Sequence, residues 1–287
     1  MIYVSTGGFR GRPADAVAAE LLSAGVKSIE LSGCEYSETL LEDLRLLVPE
    51  LEFQLHNYFP PPADPFVLNL GSLDKQVGER SIAHVEQAIQ WCVELGTSRY
   101  SFHAGFLLDP KVDELGRRIP ARSLFNRDES IEAFISRVSQ LAEIAERAGV
   151  ALMIENNVLS ANNAKEFASN PLLMCDPEES QNIMRRLPDS VTQLIDVAHL
   201  KVSANSLGFK PESMFDVCSE RITGYHLSDN NGLEDSNKPF ADDAWFWRYL
   251  KPDVGYYSVE VYDCAPEVLV QQVDLVHSKL QKISQSL

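Results

Sequence analysis

The chain has 287 residues, of which 45% are hydrophobic, so it is long enough and apolar enough to bury a large core. Its 42 acidic residues outnumber its 25 lysines and arginines and give a formal net charge of −17. Such a charge repels polyanions, which disfavours nucleic acids and anionic membranes as partners. No apolar stretch approaches the ~18 residues that a membrane helix needs.

Five cysteines are scattered along the chain without the spacing of a disulfide framework or a metal-binding motif. An odd, dispersed set is typical of reduced thiols in a cytosolic protein. The first residues enter a strand-like run without a preceding basic segment, so no secretory signal is predicted. We therefore expect a cytoplasmic protein, and the sequence leaves open whether it forms a homo-oligomer.

Eight short strand-like runs succeed one another along the chain, each followed by a helical pattern. They cover residues 2–6, 27–33, 52–58, 99–105, 150–157, 192–199, 222–230 and 256–263. Most are apolar runs capped by polar residues, as expected for parallel strands that are buried on both faces. Amphipathic spacing predicts helices between them, for example over residues 81–96 and 130–149.

The predicted connections alternate in length along the chain. Those from helix to strand are short, such as residues 24–27, whereas those from strand to helix are long, such as residues 59–80 and 106–128. One face of elaborate loops is typical of TIM barrels, whose chemistry lies at the C-terminal ends of the strands. We therefore predict a single (β/α)₈ TIM barrel domain over residues 1–287, in preference to a doubly wound open sheet.

Polar side chains end the last four predicted strands. Glu155 ends the fifth, Asp196 and His199 the sixth, His226 the seventh and Glu260 the eighth. Singly, each acid could cap a helix, and His226 could be a hydrogen-bonded core histidine. A buried acid is costly, however, unless it is paired or bound to a cation, and these strand ends converge in a closed barrel. The sequence therefore predicts one divalent metal ion with four ligands: Glu155, Asp196, His226 and Glu260.

The composition of this ligand set bears on the identity of the metal. Mixed carboxylate and imidazole ligands suit Mn²⁺, Mg²⁺, Co²⁺ or Zn²⁺, and the carboxylate majority favours Mn²⁺ or Mg²⁺, of which we expect Mn²⁺. Two further histidines, His56 and His103, end the third and fourth predicted strands and face the same mouth. They could bind metal, contact substrate or serve the structure, and we expect substrate contact.

These motifs resemble the xylose-isomerase-like TIM barrels, a superfamily of sugar isomerases and epimerases that also includes endonuclease-IV-type DNA repair enzymes. The resemblance runs through nearly all of the chain and is clearest from the third strand to the eighth. In the epimerase branch, Glu, Asp, His and Glu at the ends of strands five to eight hold the metal, which matches the four predicted ligands. The branch's Asp-x-x-His on strand six matches Asp196 and His199, and this implies that His199 contacts the substrate.

The DNA repair branch is an alternative. Residues 65–81 resemble its third βα-loop, and His56 and His103 match its histidines on strands three and four. That branch binds three metals and needs an Asp-x-His motif after strand seven, where this chain offers Asp235 but has Asn237 in place of the histidine. A net charge of −17 is also poorly suited to holding a DNA backbone. The resemblance therefore implies the single-metal site.

The chemistry implied by the resemblance is proton transfer beside a carbonyl or hydroxyl of a small sugar or sugar derivative, through an enediolate. Glu155 and Glu260 are expected to be the acid–base pair, acting from opposite faces of the substrate. The chain is thus predicted to be a metal-dependent sugar isomerase or epimerase, and a dehydratase acting on a keto-inositol or similar polyol would use the same residues. The alternatives are a phosphodiester hydrolase and a non-catalytic barrel that binds a sugar.

Overall fold

A computed structural model of the chain describes residues 1–286. Eight parallel strands pair in chain order, and the first pairs with the last, so the sheet closes into a barrel. The strands are β1 (Ile2–Ser5), β2 (Ser28–Leu31), β3 (Glu52–His56), β4 (Arg99–His103), β5 (Ala151–Glu155), β6 (Thr192–Asp196), β7 (Ile222–Leu227) and β8 (Tyr256–Val259). The predicted (β/α)₈ TIM barrel is therefore confirmed.

Residues 1–286 contain nine α-helices, which surround the barrel. They are α1 (Ala14–Ser23), α2 (Leu40–Arg45), α3 (Lys75–Glu94), α4 (Arg127–Ala148), α5 (Ala161–Glu166), α6 (Pro177–Arg186), α7 (Val197–Leu207), α8 (Glu212–Cys218) and α9 (Pro266–Ser286). None of the helices in the described part of the chain has the length and apolar character needed to cross a membrane.

Local capping explains where the long helices begin and end. The Asp74 carboxylate accepts hydrogen bonds from the backbone N–H groups of Gln76 and Val77, so α3 begins six residues before the predicted start at residue 81. Helix α4 ends at Gly149, which adopts the left-handed conformation with φ of 71°. A glycine takes that conformation without steric cost, which explains why the helix stops there.

The connection from β7 to β8 departs from the predicted alternation. The sequence predicts a helical pattern after every strand, but residues 228–255 contain no α-helix, only a 3₁₀ turn at Trp247–Tyr249 and an isolated β-bridge between Asp229 and Lys238. Pro239 and Pro252 interrupt this stretch and disfavour an α-helix. Phe246 is fully buried there and packs against Phe240 with ring centroids 5.7 Å apart. Aromatic packing therefore covers the barrel where a helix was predicted.

The barrel interior is filled below its C-terminal mouth. Four side chains that point inward form a cluster there: Tyr3, Met153, Leu194 and Tyr256. Gly224 on β7 lies so close to this cluster that a Cβ atom would be 2.6 Å from Met153 Cε and 2.7 Å from Tyr256 Cδ1. A larger residue at this point would force the Met153 and Tyr256 side chains to shift, and the packed floor leaves the chemistry to the strand ends above it.

Candidate metal centre

The four predicted metal ligands meet at the C-terminal mouth of the barrel. Glu155 and Asp196 are the last residues of β5 and β6, His226 is the penultimate residue of β7, and Glu260 directly follows β8. Side chains alternate along a strand, and the register of neighbouring strands turns all four inward. One potential ligand atom from each residue lies within 4.8 Å of the others. Glu260 is 5% exposed and the other three are fully buried.

Several buried atoms of these side chains lack hydrogen-bond partners within the described chain, as expected of ligands that surround a cation. Four buried atoms have no hydrogen-bond partner among residues 1–286: both carboxylate oxygens of Glu155, Oδ2 of Asp196 and Nδ1 of His226. His226 Nδ1 lies 3.1 Å from Glu260 Oε2 and 3.4 Å from Glu155 Oε1. A buried polar atom without a partner costs about 1–3 kcal/mol, and a divalent ion at the centre would give Glu155, Asp196 and His226 a partner while also facing the Glu260 carboxylate. The residues present therefore fit a divalent metal.

Close packing of charges shifts the pKa values of the ligands. Burial, reinforced by the nearby carboxylates of Glu155 and Glu260, raises the pKa of Asp196 well above its usual range. Burial opposes the charge on Glu260 as well, but the His226 imidazole outweighs it and lowers the pKa of Glu260 to about 2. Burial disfavours the charged form of His226, yet the surrounding carboxylates, with Glu30 foremost, raise its pKa. Such divergent shifts in one cavity are typical of functional sites.

His56 and His103, predicted to contact substrate, lie beside Glu155. The buried His56 ring is held by Ser101, with Nδ1 2.9 Å from its Oγ, and its Nε2 lies 3.3 Å from Glu155 Oε2. His103 Nε2 is 3.7 Å from the same oxygen, and its side chain is 24% exposed. Burial lowers the pKa of His103 to about 4, so its ring is neutral at pH 7. His103 is thus open to the mouth, whereas His56 lies beneath the surface.

His199 reaches the mouth from a helix and not from a strand end. The predicted strand over residues 192–199 is wrong beyond Asp196, because the carboxylate of Asp196 accepts a 2.7 Å hydrogen bond from the backbone N–H of His199 and caps α7. The His199 ring still faces the ligand cluster, with Nδ1 3.1 Å from Glu155 Oε1. Its Nε2 lies 3.2 Å from Asp235 Oδ2.

Sequence reasoning missed Glu30 and Tyr262, and it treated Asp235 only as part of an incomplete motif. Glu30 on β2 is fully buried, and its Oε2 lies 2.7 Å from His226 Nε2. The Tyr262 hydroxyl donates a 2.6 Å hydrogen bond to Glu260 Oε1. An acid between Ile29 and Leu31 is the same signal that singled out Glu155, so Glu30 could have been found from the sequence.

The family assignment rests on the sequence as well as on this geometry. The sequence model of the xylose isomerase-like TIM barrel family matches residues 18–263. The chain belongs to this family. No curated protein matches the chain.

Several solved structures of xylose isomerase-like proteins resemble the chain over almost its whole length. A D-tagatose 3-epimerase-like protein is 20% identical, with a TM-score of 0.68 and 99% of this chain and 98% of that chain covered. The D-psicose 3-epimerase of Clostridium cellulolyticum H10, solved with D-tagatose, is 13% identical, with a TM-score of 0.62 and 99% and 96% covered. The IOLI protein, solved with a zinc atom, is 15% identical, with a TM-score of 0.68 and 98% of both covered. At identities this low, the similarity establishes a shared fold and nothing more.

Proposed function

We propose that this chain is a divalent-metal-dependent sugar isomerase or epimerase. The observation that carries the proposal is the buried cluster of three carboxylates and one imidazole whose facing atoms have so few hydrogen-bond partners. The structural relatives support it, because one is a D-psicose 3-epimerase, one is a D-tagatose 3-epimerase-like protein and one was solved with a zinc atom. A bound divalent ion would polarise a substrate carbonyl and stabilise an enediolate. The carboxylate majority favours Mn²⁺, with Mg²⁺, Co²⁺ and Zn²⁺ as alternatives.

Glu155 and Glu260 are proposed as the acid–base pair. Each directs one oxygen at His226 Nδ1, which leaves the second oxygen in a different environment. The second oxygen of Glu155 faces His56 and His103, whereas that of Glu260 accepts the Tyr262 hydroxyl. Two carboxylates with different neighbours are suited to opposite proton-transfer roles, one as base and the other as acid.

The substrate is proposed to be a small sugar or sugar derivative in the cytoplasm, with neither nucleic acid nor a membrane as a partner. His103 and His199 would donate to its hydroxyl groups, and His56 would do so from deeper in the mouth. A polyol dehydratase would use the same residues, with one glutamate protonating a leaving hydroxyl.

The reaction is tested by proton exchange at carbon. Ketoses, inososes and their phosphates are incubated with the metal-loaded protein in D₂O, and deuterium uptake at carbon is followed by NMR. Uptake by one of these compounds, absent after chelation of the metal, is expected. Binding of a sugar without exchange or turnover would instead identify a non-catalytic barrel.

Metal binding is expected to stabilise the fold. A ligand at 100 times its Kd adds about 2.7 kcal/mol to the free energy of unfolding, which corresponds to a rise in Tm of roughly 5 °C or more. Differential scanning fluorimetry of chelator-treated protein, with and without Mn²⁺, measures this rise, and elemental analysis should find one ion per chain. An unchanged Tm with each of the four candidate metals would contradict the metal site.

A phosphodiester hydrolase is the second candidate, because the mouth contains a second group of potential ligands. His56, His103 and Glu155 also bring one ligand atom each within 4.8 Å of the others. Asp235 reaches His199, but the neighbouring Asn237 is buried and its backbone carbonyl accepts from the Tyr262 N–H. An amide in place of an imidazole there, together with the charge of −17, weighs against this function.

We therefore expect no incision of DNA at abasic sites. The purified protein, loaded in turn with Mn²⁺ and Zn²⁺, is incubated with a duplex that carries one abasic site at physiological salt, and the products are separated by electrophoresis. The Glu155→Ala variant is the control for contaminating nuclease. Incision by the wild type that disappears in this variant would replace the sugar proposal with the hydrolase.

A further inference from the structure

Among the residues that the structure describes, Glu30 is the one carboxylate of the barrel interior that the proposed chemistry does not use. It lies on β2, on the opposite side of the barrel from the strands that provide the candidate ligands, and its side chain is fully buried. Its Oε2 lies 2.7 Å from His226 Nε2 and also accepts a short hydrogen bond from the Tyr256 hydroxyl. A carboxylate kept in a packed interior is costly, so its contact with His226 calls for an explanation.

The two nitrogens of the His226 ring have different surroundings. Nε2 faces Glu30, whereas Nδ1 faces the carboxylates of Glu155 and Glu260 and has no hydrogen-bond partner in the described part of the chain. A neutral imidazole carries one N–H and one lone pair. With the proton on Nε2, the ring donates to Glu30 and presents its lone pair to the ligand cluster. With the proton on Nδ1, two lone pairs would oppose each other 2.7 Å apart, and the lone pair would be lost to the metal.

We propose that Glu30 is a positioning residue, which fixes the tautomer and the orientation of His226 so that Nδ1 can bind the metal. This inference rests on the proposed metal-dependent function. Metal-binding histidines generally donate their other N–H to a carboxylate or carbonyl, and loss of that partner lowers metal affinity about 10–100-fold. The hydrogen bond from Tyr256 holds the Glu30 carboxylate in place for this contact.

A structural role alone makes a different prediction. If Glu30 only satisfied a buried histidine, its loss would lower the stability of the protein and leave the metal affinity of the folded protein unchanged. Metal affinity, measured on folded protein, therefore separates the two roles.

The first test compares the Kd for Mn²⁺ and for Zn²⁺ by competition with a chelator. Glu30→Met, which removes every acceptor, is expected to weaken both about 10–100-fold. Glu30→Gln keeps one acceptor oxygen for His226 Nε2–H, so its metal affinity should lie between those of Glu30→Met and the wild type. Gln54→Met is the matched control, because Gln54 is another buried polar side chain of the barrel interior, bonded to Tyr3 and Thr97. Its affinity should equal that of the wild type.

The second test needs no variant, so a misfolded protein cannot obscure it. Long-range ¹H–¹⁵N spectra of the zinc-loaded wild type should show His226 protonated at Nε2 and bound through Nδ1. A proton on Nδ1, or wild-type affinity in the folded Glu30→Met variant, would overturn the inference and leave the proposed function standing. A wild-type protein that binds none of the metals would overturn the proposed function itself.

Discussion

Replacement of Glu155 or Glu260 by glutamine is expected to lower turnover by at least about two orders of magnitude, the usual contribution of a positioned acid or base being about 10²–10⁴-fold. Both side chains lie at the barrel mouth, buried or nearly so, and glutamine keeps their size and one coordinating oxygen. The substitution removes the basic carboxylate together with one negative charge of the ligand set, so metal affinity falls as well, but the loss of turnover should persist when metal is saturating. Activity is measured at saturating metal as deuterium uptake by the substrate that the exchange screen identifies.

A glutamate outside the mouth provides the matched control. Glu94 ends α3 and forms an ion pair with Arg45, and both side chains are nearly half exposed. Glu94→Gln should leave turnover unchanged, because exposed ion pairs contribute little even to stability. If Glu155→Gln or Glu260→Gln kept near-full exchange activity with metal bound, that glutamate would be only a ligand. His199, which contacts both Glu155 and Asp235, would then be the better candidate for the base.

The barrel itself could be predicted from the sequence because its determinants are local. Strands that are buried on both faces appear as apolar runs, and glycines such as Gly149 mark helix ends. The same reasoning predicted which acids would meet, since Glu155 and Asp196 end apolar runs and the strand ends of a barrel converge. That these residues bind metal stays a prediction.

The features that the sequence did not reveal depend on contacts between residues far apart in the chain, or on a side chain whose hydrogen bond overrides the local apolar pattern. Glu30 and His226 are 196 residues apart, so the pattern around Glu30 indicates burial without revealing its partner. His199 was placed on a strand because its segment is apolar, but the carboxylate of Asp196 begins a helix there. The absent helix between β7 and β8 reflects aromatic packing around Phe246, which overrides local pattern.

Asp196→Asn is expected to change stability in opposite directions with and without metal. In the metal-free protein, burial and the carboxylates of Glu155 and Glu260 raise the pKa of Asp196 above its unfolded value. A raised pKa means that the folded state binds the proton more tightly, so ionisation of Asp196 lowers stability as the pH rises from about 4 toward neutrality. Asparagine removes this cost and can donate its amide N–H to the neighbouring carboxylates. The metal-free variant should therefore be about 0.5–2 kcal/mol more stable at pH 7.

With metal, the same substitution removes one negatively charged ligand. Affinity should fall by more than about 100-fold, because loss of an outer partner of a ligand already costs about 10–100-fold. The metal-induced rise in Tm should then disappear. Helix α7 keeps its cap, since asparagine and aspartate are similar N-cap residues. Asp176→Asn is the control, because Asp176 caps α6 by accepting the Glu179 N–H and is not among the candidate ligands. This substitution should leave the Tm nearly unchanged both in chelator and in Mn²⁺.

Thermal melts of wild type and both variants, in chelator and in Mn²⁺ at pH 7, decide the outcome. The Tm of Asp196→Asn is expected to lie above that of the wild type in chelator and below it in Mn²⁺. A variant that melts below the wild type in chelator would show that Asp196 contributes to folding on its own. A variant that keeps the full metal-induced rise would remove Asp196 from the ligand set. The reversal follows only if the cluster of acids is retained for binding a cation at the expense of the metal-free fold.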